Sequence, residues 1–544
     1  MTDQPTPQSH IRLPLLLAIV LAAGMFIGQQ LPRYENHLWL MPKEHRSSNA
    51  MGTLDEILRY VEAKYVDSVD TKALQDEAIA NVLEQLDPHS LYISPEELEH
   101  EEEVLSGNFE GIGIEFLLLD DTIQVVAPTA GGPSEAAGIM SGDKIVTIED
   151  SLVAGVGISN ADIFKKLRGP KGSKVRMGIR RGKENRLRQI VVTRDVIPVR
   201  SVDVAYMLDK QTGYIKINRF SAPTYQEFME ELRRLVEEKG LKNLVLDLRG
   251  NPGGYLDEAT ELLSQVFPEG KLLVYTEGRA EERQDYKSNG RARFHIQNVA
   301  VLVDEGSASA SEIVAGAIQD HDRGWVIGRR TFGKGLVQVQ YPLSDGGALR
   351  LTISRYYTPS GRSIQRAYKG EDDYADEAER RLENGELADE SKIRQADSTK
   401  YYTGMGRVVF GGGGITPDVF IPLDTSYMND YFEAAFPSLP QFAARWLEEQ
   451  NRANLPADPQ VFAQQFKVSD AQFGAFVAYV REQGHEPNES QIARCRSELS
   501  LLLKARIAKL LFKEEGQYRV LNDDDPAVEK ALQVLSSGKP VAKK

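Results

Sequence analysis

Residues 298–319 read NVAVLVDEGSASASEIVAGAIQ. An uncharged, mostly apolar run enters a loop in which serine alternates with small residues, and the chain then takes on a helical pattern. A continuous apolar run bounded by turn residues is the signature of a strand covered on both faces. The same order occurs upstream: the run NLVLDL (243–248), the loop RGNPGG (249–254) and a helical stretch over 255–266. Repeated strand–loop–helix units predict an α/β layered structure with its functional site at the strand ends. Ser307, Ser309 and Ser311 therefore fall at a helix start. Serine favours that position as a cap, which alone would account for all three. Amides at a helix start would equally stabilise an oxyanion beside a nucleophilic serine.

A second stretch bears on that choice. Residues 331–338, TFGKGLVQ, set Lys334 between two glycines in apolar surroundings. A lysine can act as a base for a serine hydroxyl only if its pKa falls from about 10.4 toward roughly 7–8. Burial achieves this by disfavouring the ammonium form. Gln338 lies four residues further on. On a helical turn its side chain would come within about 6 Å of Lys334, and on a regular strand it would stand about 13 Å along the chain. Spacing leaves the two geometries open.

Working outward, the 544 residues carry 65 Lys+Arg against 80 Asp+Glu, a net charge of −15. At about 150 residues per domain the length predicts three or four domains. Without a long basic tract, dedicated nucleic-acid binding is excluded. The 41% hydrophobic and 27% charged content excludes wholesale disorder and a polytopic membrane protein. Cys495 is the single cysteine, so there is no internal disulfide, CxxC redox pair or cysteine-rich zinc site.

Residues 13–28 (LPLLLAIVLAAGMFIG) carry no charge. As a helix they would span roughly 24 Å, close to a bilayer core. They predict a signal-anchor or signal peptide within residues 1–33, hence export, with the remainder anchored at the cytoplasmic membrane and facing the periplasm or outside. Residues 34–105 read as a helical region. Thr53 with Glu56 forms a capping-box pair, Leu74, Ala78, Val82 and Leu86 form an apolar stripe, and Ser94-Pro95-Glu96-Glu97 has the form of a helix start. Such stripes are packing faces or a dimerising hairpin. Residues 371–397 hold eleven acids against four basic residues and read as a solvated, mobile insertion. The chain from 426 to 544 is helical again, with Ser469 and Gln472 capping one helix and a long helix over 489–512.

Between 106 and 195 the texture is short β-like runs with glycine turns and one helical stretch, 160–167. Gly111-x-Gly113 lacks the third glycine of a dinucleotide loop. The segment resembles a PDZ domain: GIGIEF (111–116) matches the carboxylate-binding loop, PSEAAGI (133–139) the following turn and helix, and SGDKI (141–145) the next strand. That resemblance implies a groove in which a peptide C-terminus adds as a strand, held by the backbone of Gly111, Ile112, Gly113 and Ile114.

The motifs GSASASE, TFGKGxVQ, LRGNPGG, LDPHS, GGGGIxPD (411–418) and the PDZ-like segment occur together and in order. Over about 53–425 they resemble the carboxyl-terminal processing proteases, the tail-specific serine peptidases of family S41. The resemblance implies a multidomain α+β chain. A PDZ domain (106–195) lies beside an α/β layered, ClpP/crotonase-like protease core (196–425, with the acidic insertion), between helical N- and C-terminal regions. It implies Ser309 as nucleophile, Lys334 as general base and Gln338 as its support. The oxyanion donors would be the backbone amides of Ala310 and Gly253, with Gly254 as the alternative. Arg168, in LRGPKG, matches a position where the PDZ domain contacts the protease body, and reads equally as a surface ion pair. No cofactor or metal is implied.

The expected reaction is acyl transfer: Lys334 takes the Ser309 proton, the alkoxide attacks a peptide carbonyl, and water then releases the acyl-enzyme. Expected partners are protein substrates with free, apolar C-termini, the membrane, a second or further copies of this chain, and an adaptor protein; no nucleic acid is expected. Two other readings stand beside this one. A Ser-His-Asp peptidase would draw on His89, His295 or His321, and a non-catalytic PDZ scaffold would keep the fold without the chemistry.

Overall fold

The computed structural model describes residues 50–537 apart from 183, 185, 369–376, 395–396 and 487. The predicted signal-anchor at 1–33 lies outside the described residues; among them no helix is long and apolar enough to cross a membrane. The chain divides into two compact units, 1–78 and 79–544.

In the first unit, helix Ala50–Lys64 leaves Leu54, Ile57 and Tyr60 exposed. Thr53 sits inside this helix rather than at its start, so it does not cap it. Helix Thr71–Glu84 buries Leu83, whereas Val82 and the following Leu86 are exposed. Of the stripe read from sequence, Leu74 and Ala78 are half-buried and Val82 and Leu86 exposed.

The second unit is built on a six-stranded sheet in the order Val202–Met207, Thr212–Ile217, Asn243–Asp247, Asn298–Val303, Gly324–Gly328, Val419–Phe420. Its first pair is antiparallel and every later pair parallel. Helices Thr224–Glu237, Leu256–Leu263 and Ala310–Asp320 cover one face, where Phe228, Leu232, Leu262, Val314 and Ile318 are buried against the strands. Ala527, Val528, Ala531 and Leu535 of helix Pro526–Ser537 cover the other face, against Tyr214, Val245, Ala300 and Leu302. Cover on both faces explains why these strands are apolar runs rather than alternating ones. The C-terminal tail thus packs on the body. Its own helices form a separate core around Phe442, Phe476, Leu499 and Leu503, and the buried Cys495 belongs to it.

A second, antiparallel sheet stands beside the first. Its long strand Ala348–Tyr357 pairs with Leu336–Pro342, Leu91–Ile93 and Leu272–Glu277. This strand draws the 87–90 turn toward Lys334. A third sheet, with Ile114–Leu119 at one edge and Arg188–Thr193 at the other, packs helix Asn160–Leu167 over a core of Ile123, Ile145, Ile163, Val175 and Ile179. The helix start predicted at Ser94 has the full reciprocal capping box and its proline, and Ser469 with Gln472 caps its helix in the same way.

The expectation of a solvated, mobile acidic insertion holds for only some of its described residues: Glu379, Glu383, Asp389 and Glu390 are exposed, but the segment is also anchored. Arg381, Glu386 and Leu387 are buried. Glu386 accepts from Nε and Nη2 of Arg330 at 2.7 and 2.8 Å. Arg381 pairs with Glu377 and donates to the carbonyls of Arg330 and Thr331 at 3.1 and 2.9 Å. Net charge misleads here because two acids are neutralised by buried arginines, one of them contributed from outside the segment.

Candidate active site

Ser309 ends the loop after strand Asn298–Val303, and its backbone lies at φ 54°, ψ −115°. A non-glycine residue at positive φ with such a ψ stores about 1–3 kcal/mol of strain, which surrounding contacts must hold. The two flanking serines are structural. The Ser307 hydroxyl donates to the Leu248 carbonyl at 2.8 Å and the Ser311 hydroxyl to the Asn251 carbonyl at 3.0 Å, tying this loop to 249–254. Both are fully buried. Ser309 is half-buried, and its hydroxyl has no acceptor among the described residues.

One carboxylate joins this loop to the lysine. Glu312 is buried in helix Ala310–Asp320. Its Oε2 accepts from the backbone N–H of Ser309 at 2.9 Å and of Lys334 at 2.8 Å. Its Oε1 accepts from the Thr331 hydroxyl at 2.6 Å and the Gly333 N–H at 2.7 Å. On the carbonyl side, the Tyr356 hydroxyl donates to both Ser309 O (3.1 Å) and Lys334 O. The two backbones are thus held one bridging atom apart. Between Ser309 and Lys334 the side chains themselves make no hydrogen bond.

Lys334 has no ion-pair partner among the described residues. Burial first, then the Arg350 guanidinium, pulls its ammonium below the ordinary 10.5, against an opposing pull from Glu312, Asp87 and Glu101. Arg350 is itself paired with Glu101. His89 adjoins this group and is pulled down to about 4, by burial and then by Lys334. His321, at the far end of helix Ala310–Asp320, bonds the Leu272 carbonyl at 2.6 Å instead.

Gln338 lies on strand Leu336–Pro342 at an irregularity in its pairing. This settles the geometry that spacing left open in favour of the strand. Its amide donates to the Thr352 hydroxyl at 3.2 Å, which donates at 3.0 Å to Asp87, not to Lys334. The Asp87 carboxylate also accepts from His89 N–H, Ser90 N–H and the Ser90 hydroxyl at 2.9, 3.1 and 2.7 Å. The LDPHS turn is therefore an anchored wall of the lysine pocket.

Gly253 presses against the serine: a Cβ there would stand 2.6 Å from Ser309 Cβ and 2.9 Å from Ala310 N. Its amide, however, donates to Asn251 Oδ1 at 2.8 Å. In this conformation that bond withholds it from an oxyanion, contrary to the sequence-derived assignment. The Asn251 side chain turns back into its own loop, which sequence does not reveal. The Ala310 amide, at the helix start, makes no hydrogen bond among the described residues.

In the third sheet, Ile114–Leu119 is an edge strand that pairs, among the described residues, with Thr122–Pro128 alone. Phe116 packs on Phe164 of the facing helix at 5.5 Å. Gly113 takes φ 68°, and the Ile112 carbonyl accepts from Ser134. Arg168 caps that helix's C-terminus. It meets Glu103 of helix Pro95–Ser106 at 2.5 Å and lies over Phe109, so its partner is the preceding helix rather than the 196–425 body. A sequence argument has no means of finding that partner 65 residues away.

Glu312 stood within the GSASASE motif without an assigned role, and Asp87 and Ser90 within LDPHS. Thr352 and Tyr356 carry no local signal.

The model of peptidase family S41 matches residues 211–374, and a family of unknown function matches 438–513. The carboxy-terminal-processing protease of Bartonella bacilliformis is 35% identical over 364 residues, 64% of this chain and 80% of that protein. CtpB of Bacillus subtilis, a carboxy-terminal processing protease, is 34% identical over 58% of this chain and 66% of its own length. The photosystem II D1 C-terminal processing protease aligns with 26% identity over 69% of this chain and 88% of that one, at a TM-score of 0.36. With its strand-end serine, its half-buried lysine and four-fifths of such a relative spanned at this identity, the chain belongs to the carboxy-terminal processing proteases, serine-type peptidases of family S41.

Proposed function

We propose that Ser309 and Lys334 form the catalytic dyad of an endopeptidase that selects proteins by their free C-termini. The observation that carries this reading is the division of labour among three serines: two are spent on loop-to-loop bonds, and the third, strained and half-exposed, shares Glu312 and Tyr356 with a desolvated lysine. Lys334, neutral, accepts the Ser309 proton as Oγ attacks the scissile carbonyl. The Ala310 amide receives the oxyanion, with the Gly254 amide as the second donor. The lysine then returns the proton to the leaving amine and activates water for deacylation. Gln338 acts as a support for the pocket wall through Thr352 and Asp87.

The 106–195 segment is the C-terminus reader. Its edge strand Ile114–Leu119 is open to strand addition, and the turn at Ile112 and Gly113 offers amides to a carboxylate. An exported, membrane-anchored location rests on the uncharged run 13–28.

The test uses the full chain, Ser309→Ala and Lys334→Ala, each incubated with an unfolded protein ending in apolar residues, with fragments read by mass spectrometry. Loss of cleavage in both variants while folding is intact is expected. Retained cleavage in either sinks the dyad.

A further inference from the structure

We propose that Tyr356 is a positioning residue that fixes the register between nucleophile and base. The proposal rests on the reading of Ser309 and Lys334 as the dyad. Tyr356 lies one residue from the end of strand Ala348–Tyr357, 1% exposed, with its ring in the core that backs helix Ala310–Asp320. Its own amide donates to the Gly335 carbonyl at 3.0 Å, so the residue grips the lysine loop through backbone as well as side chain. Its hydroxyl reaches the carbonyls of Ser309 and Lys334 together.

Two features make such a tie necessary. The dyad side chains make no bond to each other, so their separation is inherited from the backbones that bear them. Neither backbone holds itself: Ser309 sits at positive φ, and Lys334 stands between Gly333, at φ 91°, and Gly335. Glycine-flanked chain has more conformational freedom to lose than any other. Glu312 gathers the N–H groups of the pair and Tyr356 gathers their carbonyls. The Ser309 carbonyl also accepts from the helix amides of Glu312 and Ile313 at 2.8 and 3.0 Å, and so stays anchored without the tyrosine. The lysine loop has no such reserve at its carbonyl, and it is the part that loosens when the hydroxyl is removed.

Tyr356→Phe deletes one oxygen and keeps the ring's packing. In the full chain kcat is expected to fall about 10- to 30-fold, the worth of one to two buried hydrogen bonds expressed on the barrier, with KM within about twofold. Labelling of Ser309 by a fluorophosphonate slows by the same factor, and the pH midpoint of the acid limb stays put because no charge is removed. Replacing Tyr356 with 3-fluorotyrosine, which keeps the donor, restores at least half of kcat. Tyr357→Phe, which removes a neighbouring hydroxyl that does not touch the dyad, behaves as the parent. A Phe variant whose kcat and labelling rate, per titrated active site, stay within twofold of the parent overturns the proposal. So does a loss that fluorotyrosine fails to restore. Cleavage surviving Ser309→Ala would instead overturn the dyad reading.

Discussion

Replacing Glu312 with glutamine tests the join between the two halves of the site. The carboxylate serves four donors, two on each oxygen. An amide keeps one acceptor oxygen and brings two donors of its own. If that oxygen stays with Ser309 and Lys334, the Thr331 hydroxyl can rotate to accept, but the Gly333 N–H is left facing an NH2. The opposite flip strands the amides of both Ser309 and Lys334. One buried, unpaired N–H costs about 1–3 kcal/mol, and the lost charge assistance on the remaining bonds adds to it, for about 2–5 kcal/mol in all. That cost falls locally, on the opening of 309–335. Hydrogen exchange read by mass spectrometry should therefore show protection over those peptides reduced by roughly 10²- to 10³-fold, with the 114–193 sheet unchanged. Cleavage should fall by at least about 10² in kcat, because a nucleophile and base displaced by about 1 Å lose about that factor. Glu312→Asp, one carbon shorter, should fail similarly because it cannot reach both loops. Protection within threefold of the parent, together with kcat within twofold, would refute the clamp.

The pH dependence has a definite sign. As the proposed general base Lys334 must be neutral, so cleavage is expected to rise as pH rises through its depressed pKa. Arg350→Gln removes the main cation holding it down and should move that acid limb to higher pH; an unmoved or lowered midpoint contradicts this. Burial raises the Glu312 carboxyl from 4.5 to about 7, so its ionisation costs stability as pH climbs across that window; the slope should disappear in Glu312→Gln. Gly253→Ala should abolish fluorophosphonate labelling while the chain still folds, since the new methyl would meet Ser309 Cβ at 2.6 Å on a backbone at φ 100°; normal labelling would mean the loop has room to move. Arg381→Met leaves Glu377 short of a partner and removes a donor from three carbonyls of the lysine loop, those of Arg330, Thr331 and Phe332. It should cost about 3–5 kcal/mol, measured as faster thermolysin cleavage near residue 332; an unchanged rate would place Arg381 outside the loop's support. His89→Gln, His295→Gln and His321→Gln should each remain active, whereas an inactive but folded variant would revive a histidine mechanism.

By itself the sequence determined whatever is written in local pattern. The runs at 243–248 and 298–303 read as covered strands because each is short, almost wholly apolar and bounded by turn residues. Ser94 and Ser469 cap helices through bonds to residues three positions away. The strand-end loops followed from the same local order, and Ser309 and Lys334 stand out as candidates because their motifs pack unusual residue types, alternating serines and a glycine-flanked lysine, into eight residues or fewer.

The tertiary structure alone decided which groups answer one another across the chain. Tyr356 lies 47 residues from Ser309 and Thr352 lies 265 from Asp87, and no periodicity connects such pairs. Gln338 was placed beside Thr352 by a strand irregularity, Gly253's amide was claimed by Asn251, and Arg168 found its partner on the preceding helix. The acidic stretch read as solvated until Arg330 supplied its counter-charge. In each case a hydrogen bond or ion pair has a range of about 3 Å in space and no range along the sequence, so it becomes visible only once the chain is folded.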